Sequence, residues 1–283
     1  MEQQAKIAVI GGSGLYQIDE VENIRPVKLK TPFGEPSDEI IIGTVAGVPC
    51  AFLPRHGRGH KLLPTEINAR ANIYALKSLG VEQIISISAC GSLKEELKPR
   101  DFVFPDQLFD RTKSRPNTFF GEGVVAHVSF AEPFCNEMRK VLYQQAKKLG
   151  IETHYGGTYV CMEGPLFSTK AESQVNRVLG FSIVGMTALP EAKFAREAEI
   201  CYATAALITD YDVWKEGEEV SVEVVVANLT KNTGNAKELI KKAIPILARR
   251  SERKCACSNA LQHAIFTQNW KDNKPAVKRL GIL

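Results

Sequence analysis

The sequence predicts a single α/β domain whose β-sheet is covered by helices on both faces. Three observations carry that expectation. Short apolar runs alternate with segments of helical period, several of those runs are apolar at nearly every position, and no shift in composition divides the 283 residues. A strand that is apolar throughout has no solvent-facing side, so other elements must pack above and below it. With 44% hydrophobic and 24% charged residues, the chain has the balance of a globular protein able to bury a sizeable core.

Taken in order, Lys6–Ile10 (KIAVI) is a buried strand entering the tight turn Gly-Gly-Ser-Gly. Glu39–Val45 and Val48–Leu53 are strands joined through Ala46-Gly47 as a hairpin. Pro64–Leu79 reads as a helix ended by Gly80, with Ile67, Ala71, Tyr74 and Ala75 on one face. Ile73, Leu76 and Leu79 lie off that face, so this helix is covered on more than one side. QIISISACG is the next strand and its turn, and Phe134–Leu149 a helix closed by Gly150. Tyr159–Met162 and Ser182–Met186 read as strands flanking a helix at Thr169–Leu179. Glu191–Glu199 is helical, Cys201–Thr209 an apolar strand, and Val220–Leu247 a long helix or helix pair.

The charge is unevenly spread. From Arg249 onward there are eight Lys/Arg and two Asp/Glu, which leaves 28 and 30 in the rest of the chain, a body at −2. The body therefore lacks the electrostatic footprint of a nucleic-acid binder, and the basic tail reads as a solvated extension. The N-terminus has no basic segment leading into a long apolar core, and no apolar run approaches the ~20 residues a membrane helix needs. A cytoplasmic protein with no membrane partner is expected. Of seven cysteines, none forms a CxxC…CxxC arrangement, so no metal site is expected. Cys255-Ala-Cys257 is compatible with a tightly closed disulfide or a metal-binding fragment, and the sequence leaves the redox state open.

Three segments share one logic, a Gly-rich or polar turn straight after an apolar strand: GGSGLY at 11–16, PRHGRGH at 54–60 and SACGS at 88–92. Ligands of open α/β sheets collect at such strand ends, where glycines let backbone N–H groups face an anion and serine hydroxyls donate beside them. Arg55 can grip a phosphate bidentately and His56 can donate to one of its oxygens. A dinucleotide fingerprint fails because Gln17 stands where its third glycine belongs, and no Gly-Lys-Ser/Thr completes a Walker A loop. At the end of the Cys201–Thr209 strand, TDYDVW gives Asp210 and Asp212 one strand parity, two carboxylates facing one side. No further ligand accompanies them at metal spacing, whereas a carboxylic acid there could protonate a nitrogen leaving group. MEGPLFST adds Glu163 for sugar hydroxyls, Phe167 for stacking and Ser168; GMTALPE adds Met186 and Thr187.

IGGSGLY, TPFGEPSD, PRHGRGH, NARANIYALKSLGV, SACGS, MEGPLFSTKAES, GMTALPEAKFAREAEICYA and TDYDVW occur in that order. Together they resemble the 5′-methylthioadenosine phosphorylase branch of the trimeric purine nucleoside phosphorylases, from about Lys6 to about Leu247. The resemblance implies one phosphorylase domain at 1–248, with 249–283 as a basic extension. It implies a three-layer fold around a mixed central sheet, assembled as a homotrimer or a dimer of trimers, with no metal and no organic cofactor. Inorganic phosphate is then a co-substrate that attacks C1′ of methylthioadenosine, releasing adenine. By the same resemblance Ser13, Arg55, His56, Ser88, Ala89 (through its N–H) and Thr187 hold phosphate, and Met186 lies under the ribose. Phe167 packs on the base with Ser168 near it, and Asp210 and Asp212 read its N7 and 6-amino edge, Asp210 as general acid. His127 would reach a neighbouring subunit's 5′ pocket, which residues 220–226 help line. The family commonly has Arg where Leu166 stands, and Ser13 and Ser88 are threonines in some relatives. The CxC-bearing tail resembles thermophilic archaeal members, implying disulfides Cys135–Cys201 and Cys255–Cys257. The alternatives are a broader or 6-oxopurine nucleoside phosphorylase, which Asn at 210 would suit better; a nucleoside hydrolase, whose Asp-rich calcium motif is absent; and a nucleoside- or RNA-binding module using the tail.

Overall fold

The structure, a computed structural model, describes residues 4–12, 21–218, 220–250 and 252–283. The first half carries β1 (Ile7–Gly11), β2 (Glu22–Val27), β3 (Ile40–Val45), β4 (Val48–Pro54), α1 (Ala69–Ser78), β5 (Gln83–Ser92), β6 (Phe102–Phe104) and β7 (Gln107–Arg111). Then come α2 (Asn136–Lys148), β8 (Thr153–Tyr155), β9 (Thr158–Met162), α3 (Lys170–Val178), β10 (Ile183–Gly185), α4 (Ala188–Glu197) and β11 (Cys201–Asp210). α5 (Val222–Ala248) and α6 (Lys274–Leu280) complete the chain.

Alternation along the central strands sorts the core into two halves. In β1, Ile7 and Val9 face one side, Ala8 and Ile10 the other; in β11, Ala203, Ala205 and Leu207 oppose Tyr202, Ala206 and Ile208. The first half is roofed by Met138, Leu142 and Ala146 of α2 and Leu239, Ile240 and Ile244 of α5. The second packs against Ile73 and Leu76 of α1 and Ala192, Phe194 and Ala195 of α4. Three layers around a mixed sheet result, as the sequence and the resemblance imply.

Local chemistry explains where the elements depart from expectation. α1 starts at Ala69 rather than Pro64 because the Asn68 side chain accepts from the Ala71 N–H and so caps the helix there. α3 begins on a reciprocal capping box of Thr169 and Glu172. Val220–Leu247 is one helix, carrying Pro245 within it. β2, β6, β7 and β8 lie where no strand is expected: β2 is exposed at five of its six residues, and β6 and β8 have only three residues each. SACGS is not a turn, because β5 runs on through Ser92.

β5 organises the sheet. Along residues 83–86 it pairs in parallel with β1, and at Gly91 and Ser92 antiparallel with β10. β11 lies parallel along it from Gln83 to Gly91. Since β11 still holds one edge at Gly91, β1 and β10 share the other edge, and between them residues 87–90 have no strand partner on that side. From β5 one arm continues through β10, β9 and β7, the other through β11, β6 and β8.

The extension packs on the domain rather than standing free of it. Ala276 and Leu280 are buried in the α1/α4 half of the core and Cys257 in the other half. Ile265 forms a bridge to Ala126, and the His127 and Phe266 N–H groups donate to Ala264 and Val125 carbonyls. Enough apolar surface is buried at both ends of the tail to order it. Among the described residues no helix is long and apolar enough to cross a membrane. Leu280→Ala should cost about 2–4 kcal/mol, like Ile240→Ala, whereas the exposed Val178→Ala stays within about 0.5 kcal/mol. Urea midpoints followed by circular dichroism measure this, and a wild-type midpoint for Leu280→Ala would return the tail to solvent.

Candidate active site

The unpartnered stretch of β5 is filled by side chains. Arg55, immediately after β4, is fully buried. Its Nε and Nη2 donate to the two carboxylate oxygens of Glu191 at 3.1 and 3.0 Å. Nη1 donates to the Ile87 carbonyl at 2.6 Å and Nη2 to Ser86 Oγ at 2.7 Å. The guanidinium fork is therefore spent on Glu191, and what Arg55 can offer an anion is its charge and a single remaining N–H, not a bidentate grip. Burial alone would lower the pKa of Arg55, but the Glu191 charge and hydrogen bond raise it overall.

His56 follows in the turn. Its Nδ1 lies 2.9 Å from the Leu62 carbonyl, which can only accept, so Nδ1 carries the proton and Nε2 is an acceptor in the neutral ring. Burial pushes its pKa down to about 4, with Arg55 adding to the effect and the Leu62 bond opposing it. The expected donor is thus an acceptor at neutral pH. His60 stacks on it at 4.2 Å, and Arg58 pairs with Asp38 and Glu39.

Ser88 Oγ lies 3.0 Å from Thr187 Oγ1 and 3.1 Å from the Tyr159 hydroxyl. Thr187 precedes α4, so β5, α4 and the turn after β4 bring Ser88, Thr187 and Arg55 to one place, with Ala89 next along β5. Ser13 lies outside the described residues. Burial pushes the thiol of nearby Cys90 up to about 12, which keeps it protonated and unsuited to nucleophilic chemistry.

The carboxylates meet differently from expectation. Asp210 ends β11, but Asp212 sits in the following turn at φ 52°, so strand parity does not place it. An Asx-type hydrogen bond does: the Asp212 N–H donates to Asp210 Oδ1 at 2.8 Å. Thr209 Oγ1 lies 2.7 Å from Asp210 Oδ2 and 3.2 Å from the Cys90 carbonyl, one hydroxyl proton between two acceptors. A protonated Asp210 satisfies all three groups. Its pKa is raised by burial, against the Thr209 and Asp212 hydrogen bonds. Asp212 is raised too, by burial and by Asp210, with the Ser173 and Ser168 hydroxyls opposing, and its Oδ2 is buried without a partner at hydrogen-bonding length. Gly91 makes the approach possible, since a Cβ there would lie 2.8 Å from Asp210 Oδ1.

The turn is anchored by the Trp214 Nε1–H, which donates to the Ser92 carbonyl at 2.7 Å, under the Arg177 guanidinium. Asn228 and Asn232 tie α5 to the Thr209 and Ile208 carbonyls. Ser168 is buried, Phe167 is about half exposed and Leu166 is exposed. Met186 packs against Gly164, and Glu163 accepts from the Lys113 N–H and pairs with Arg115, which engages it before any sugar could. His127 is exposed, with its ring beside Phe266 and its backbone N–H on the Ala264 carbonyl. Cavities of about 340 and 320 Å³ lie around Phe33 and Arg70, the second also lined by Arg115 and Pro190.

Two residues escaped sequence reasoning. Glu191 braces Arg55 and accepts from Ser86 and the Tyr202 hydroxyl. Arg115 donates to the carbonyls of Glu163, Met186 and Leu189, joining the Met162–Phe167 loop to the Thr187 turn. Nothing local marks either: Glu191 shares its helix with Lys193, Arg196 and Glu197, and only packing singles it out. The four cysteines Cys135, Cys201, Cys255 and Cys257 come together unbridged in the structure, and a 3.3 Å contact joins Cys201 to Cys255, which is neither expected pair.

An anion cluster and a buried carboxylic acid at neighbouring strand ends are the parts of a group-transfer site that uses a small oxyanion. The chain belongs to the Phosphorylase superfamily, whose model matches residues 6–245. It is 55% identical over 277 residues to the S-methyl-5′-thioadenosine phosphorylase of Koribacter versatilis, covering 98% of this chain and 94% of that one. With the protein of the same name from Hyperthermus butylicus it shares 52% identity over 93% and 96% of the chains. A methylthioadenosine phosphorylase structure from an antarctic soil metagenomic library superposes with a TM-score of 0.95 at 49% identity, covering 99% of both chains. The Schistosoma mansoni methylthioadenosine phosphorylase in complex with adenine gives 0.85 at 38% identity, covering 91% and 96%.

Glu191→Gln keeps the shape of the brace but leaves the Arg55 charge buried and unpaired. It should lose about 3–5 kcal/mol of stability, and the affinity for inorganic phosphate should fall with it. Thermal unfolding with and without phosphate reads both, and an unchanged melting temperature would remove Glu191 from this role.

Proposed function

We propose that this chain catalyses phosphorolysis of 5′-methylthioadenosine to adenine and 5-methylthioribose 1-phosphate, a step of purine and methionine salvage. The observation that carries the reading is the pairing, on adjacent strands, of the Arg55–Ser88–Thr187 anion cluster with the raised-pKa pair Asp210 and Asp212. The relatives named above supply the substrate. Phosphate is held by the Ser88 and Thr187 hydroxyls, the Ala89 N–H and the Arg55 charge, with Ser13 completing the set. His56 accepts from a protonated phosphate oxygen.

A phosphate oxygen attacks C1′ as the C1′–N9 bond breaks, through an oxocarbenium-like state that the bound anion stabilises. The departing electron pair is taken by the adenine ring as Asp210 delivers its proton to N7. The unpartnered Oδ2 of Asp212 accepts from the 6-amino group, Phe167 and Ser168 flank the base, and Met186 underlies the ribose. No metal or organic cofactor takes part. The exposed Val222, Val224 and Val226 with His127 suit the wall of a 5′ pocket shared between subunits, so a homotrimer or dimer of trimers, cytoplasmic in location, completes the reading.

Purified protein given methylthioadenosine, adenosine and inosine should release base only when phosphate is present and should favour the 6-aminopurines. Cleavage without phosphate, or a preference for inosine, would overturn the assignment. Because Asp210 acts as the acid, kcat/KM should fall as pH rises through its raised pKa. Asp210→Asn should flatten that alkaline limb, cut methylthioadenosine turnover by about 10²–10⁴-fold and shift preference toward 6-oxopurines. An unchanged adenosine-to-inosine ratio would count against Asp210.

A further inference from the structure

At the end of β11 opposite Asp210, four thiols from distant parts of the chain converge. Cys135 caps the start of α2, Cys201 opens β11, and Cys255 and Cys257 flank Ala256 at a 3₁₀ turn of the extension. All four Sγ atoms lie within 4.8 Å of one another. Cys135, Cys201 and Cys257 are buried, and Cys255 is partly so.

The grouping is not pairwise. Two disulfides would each hold their own pair at about 2.05 Å, whereas the 3.3 Å contact here joins Cys201 to Cys255, members of different expected pairs. Four thiolates around one ion at about 2.3 Å stand roughly 3.8 Å apart in a tetrahedron, inside the spread found here. The site is also prepared for negative charge. Arg196, buried, has Nη2 at 3.9 Å from Cys257 Sγ, and Cys135 is the N-cap residue of α2, at the positive end of that helix. A divalent ion with four thiolates carries net charge −2, which this guanidinium and helix end offset.

We propose that Cys135, Cys201, Cys255 and Cys257 form a closed structural site for zinc that fastens the C-terminal extension to the start of β11 and α2. Tetrahedral all-thiolate sets suit this soft-tolerant d¹⁰ ion, and four protein ligands leave no open position for catalysis. On binding, each thiol gives its proton to solvent and its sulfur lone pair to the ion, and no electron is transferred. The cysteine spacing pointed to no metal site because the four thiols come from three separate segments of the chain, and they lie about 30 Å from the active site along ten strand residues.

Full-length protein isolated under reducing conditions should retain about one zinc per chain by elemental analysis. Cys255→Ser/Cys257→Ser should lose that zinc and lower the melting temperature of the full-length protein. Should the double variant fail to fold, wild type stripped with a chelator gives the same reading: its melting temperature should fall and recover on adding Zn²⁺ alone, and Co²⁺ in its place should show thiolate-to-cobalt absorption. Stripped protein that takes up neither ion would overturn the proposal. So would intact mass without reductant showing Cys135–Cys201 or Cys255–Cys257 joined.

Discussion

One buried ion pair holds the site together. Arg55 and Glu191 are each withdrawn from water, and their mutual attraction repays that desolvation only because every surrounding group is a partner. Ile87 and Ser86 come from β5, Tyr202 from β11, and Glu191 from α4. The side chain after β4 thus fixes the relative positions of three strands and a helix, and through α4 it fixes Thr187. The tool that sequence reasoning assigned to gripping phosphate is mostly structural, and its remaining charge is what an anion feels.

The second constraint follows from how β5 is shared. A strand that serves β1, then β10, on one edge must leave a stretch between them without ladder partners. In water such a stretch would be solvated; here Arg55 enters it and the Ser88 and Thr187 hydroxyls gather beside it. On the opposite edge β11 slips register between Ile208 and Asp210, which turns Asp210 onto Gly91. Sheet irregularity, not a loop motif, builds both halves of the site, and the burial that results raises the acids.

The legible parts of the sequence were those where one physical signal dominates. Apolar runs gave β1, β4 and β11 nearly to the residue and β5 as far as the SACGS segment, and the turn-bearing Ala46-Gly47 gave the hairpin. Short or exposed strands such as β2 and β8 carry no period to read, and depend on neighbours for their pairing. Candidate residues were legible by type but not by role. Arg55 was found and its partner was not, because Glu191 lies 136 residues away and only packing makes them meet. His56 was found with its polarity reversed, since the Leu62 carbonyl that fixes its tautomer leaves no mark in the sequence. The extension was misjudged because its charges are conspicuous while Ala276 and Leu280, which bury it, are few.

α4 and β11 span the distance between the two unusual centres. α4 begins at Thr187 beside Ser88, carries Glu191 under Arg55, and ends near Arg196, which donates to the Ser129 and Glu132 carbonyls and reaches Cys257. β11 runs from Cys201 among the thiols to Asp210 among the hydroxyls. A catalytic group held to within a fraction of an ångström needs the element that carries it to be fixed at both ends. In this chain the far ends of the strand that carries Asp210 and the helix that follows Thr187 are fixed against the same patch of the C-terminal extension. Residues beyond the phosphorylase match thus hold the ends of both elements, through Cys257 on Arg196, Cys255 on Cys201 and Arg253 on the Glu199 carbonyl.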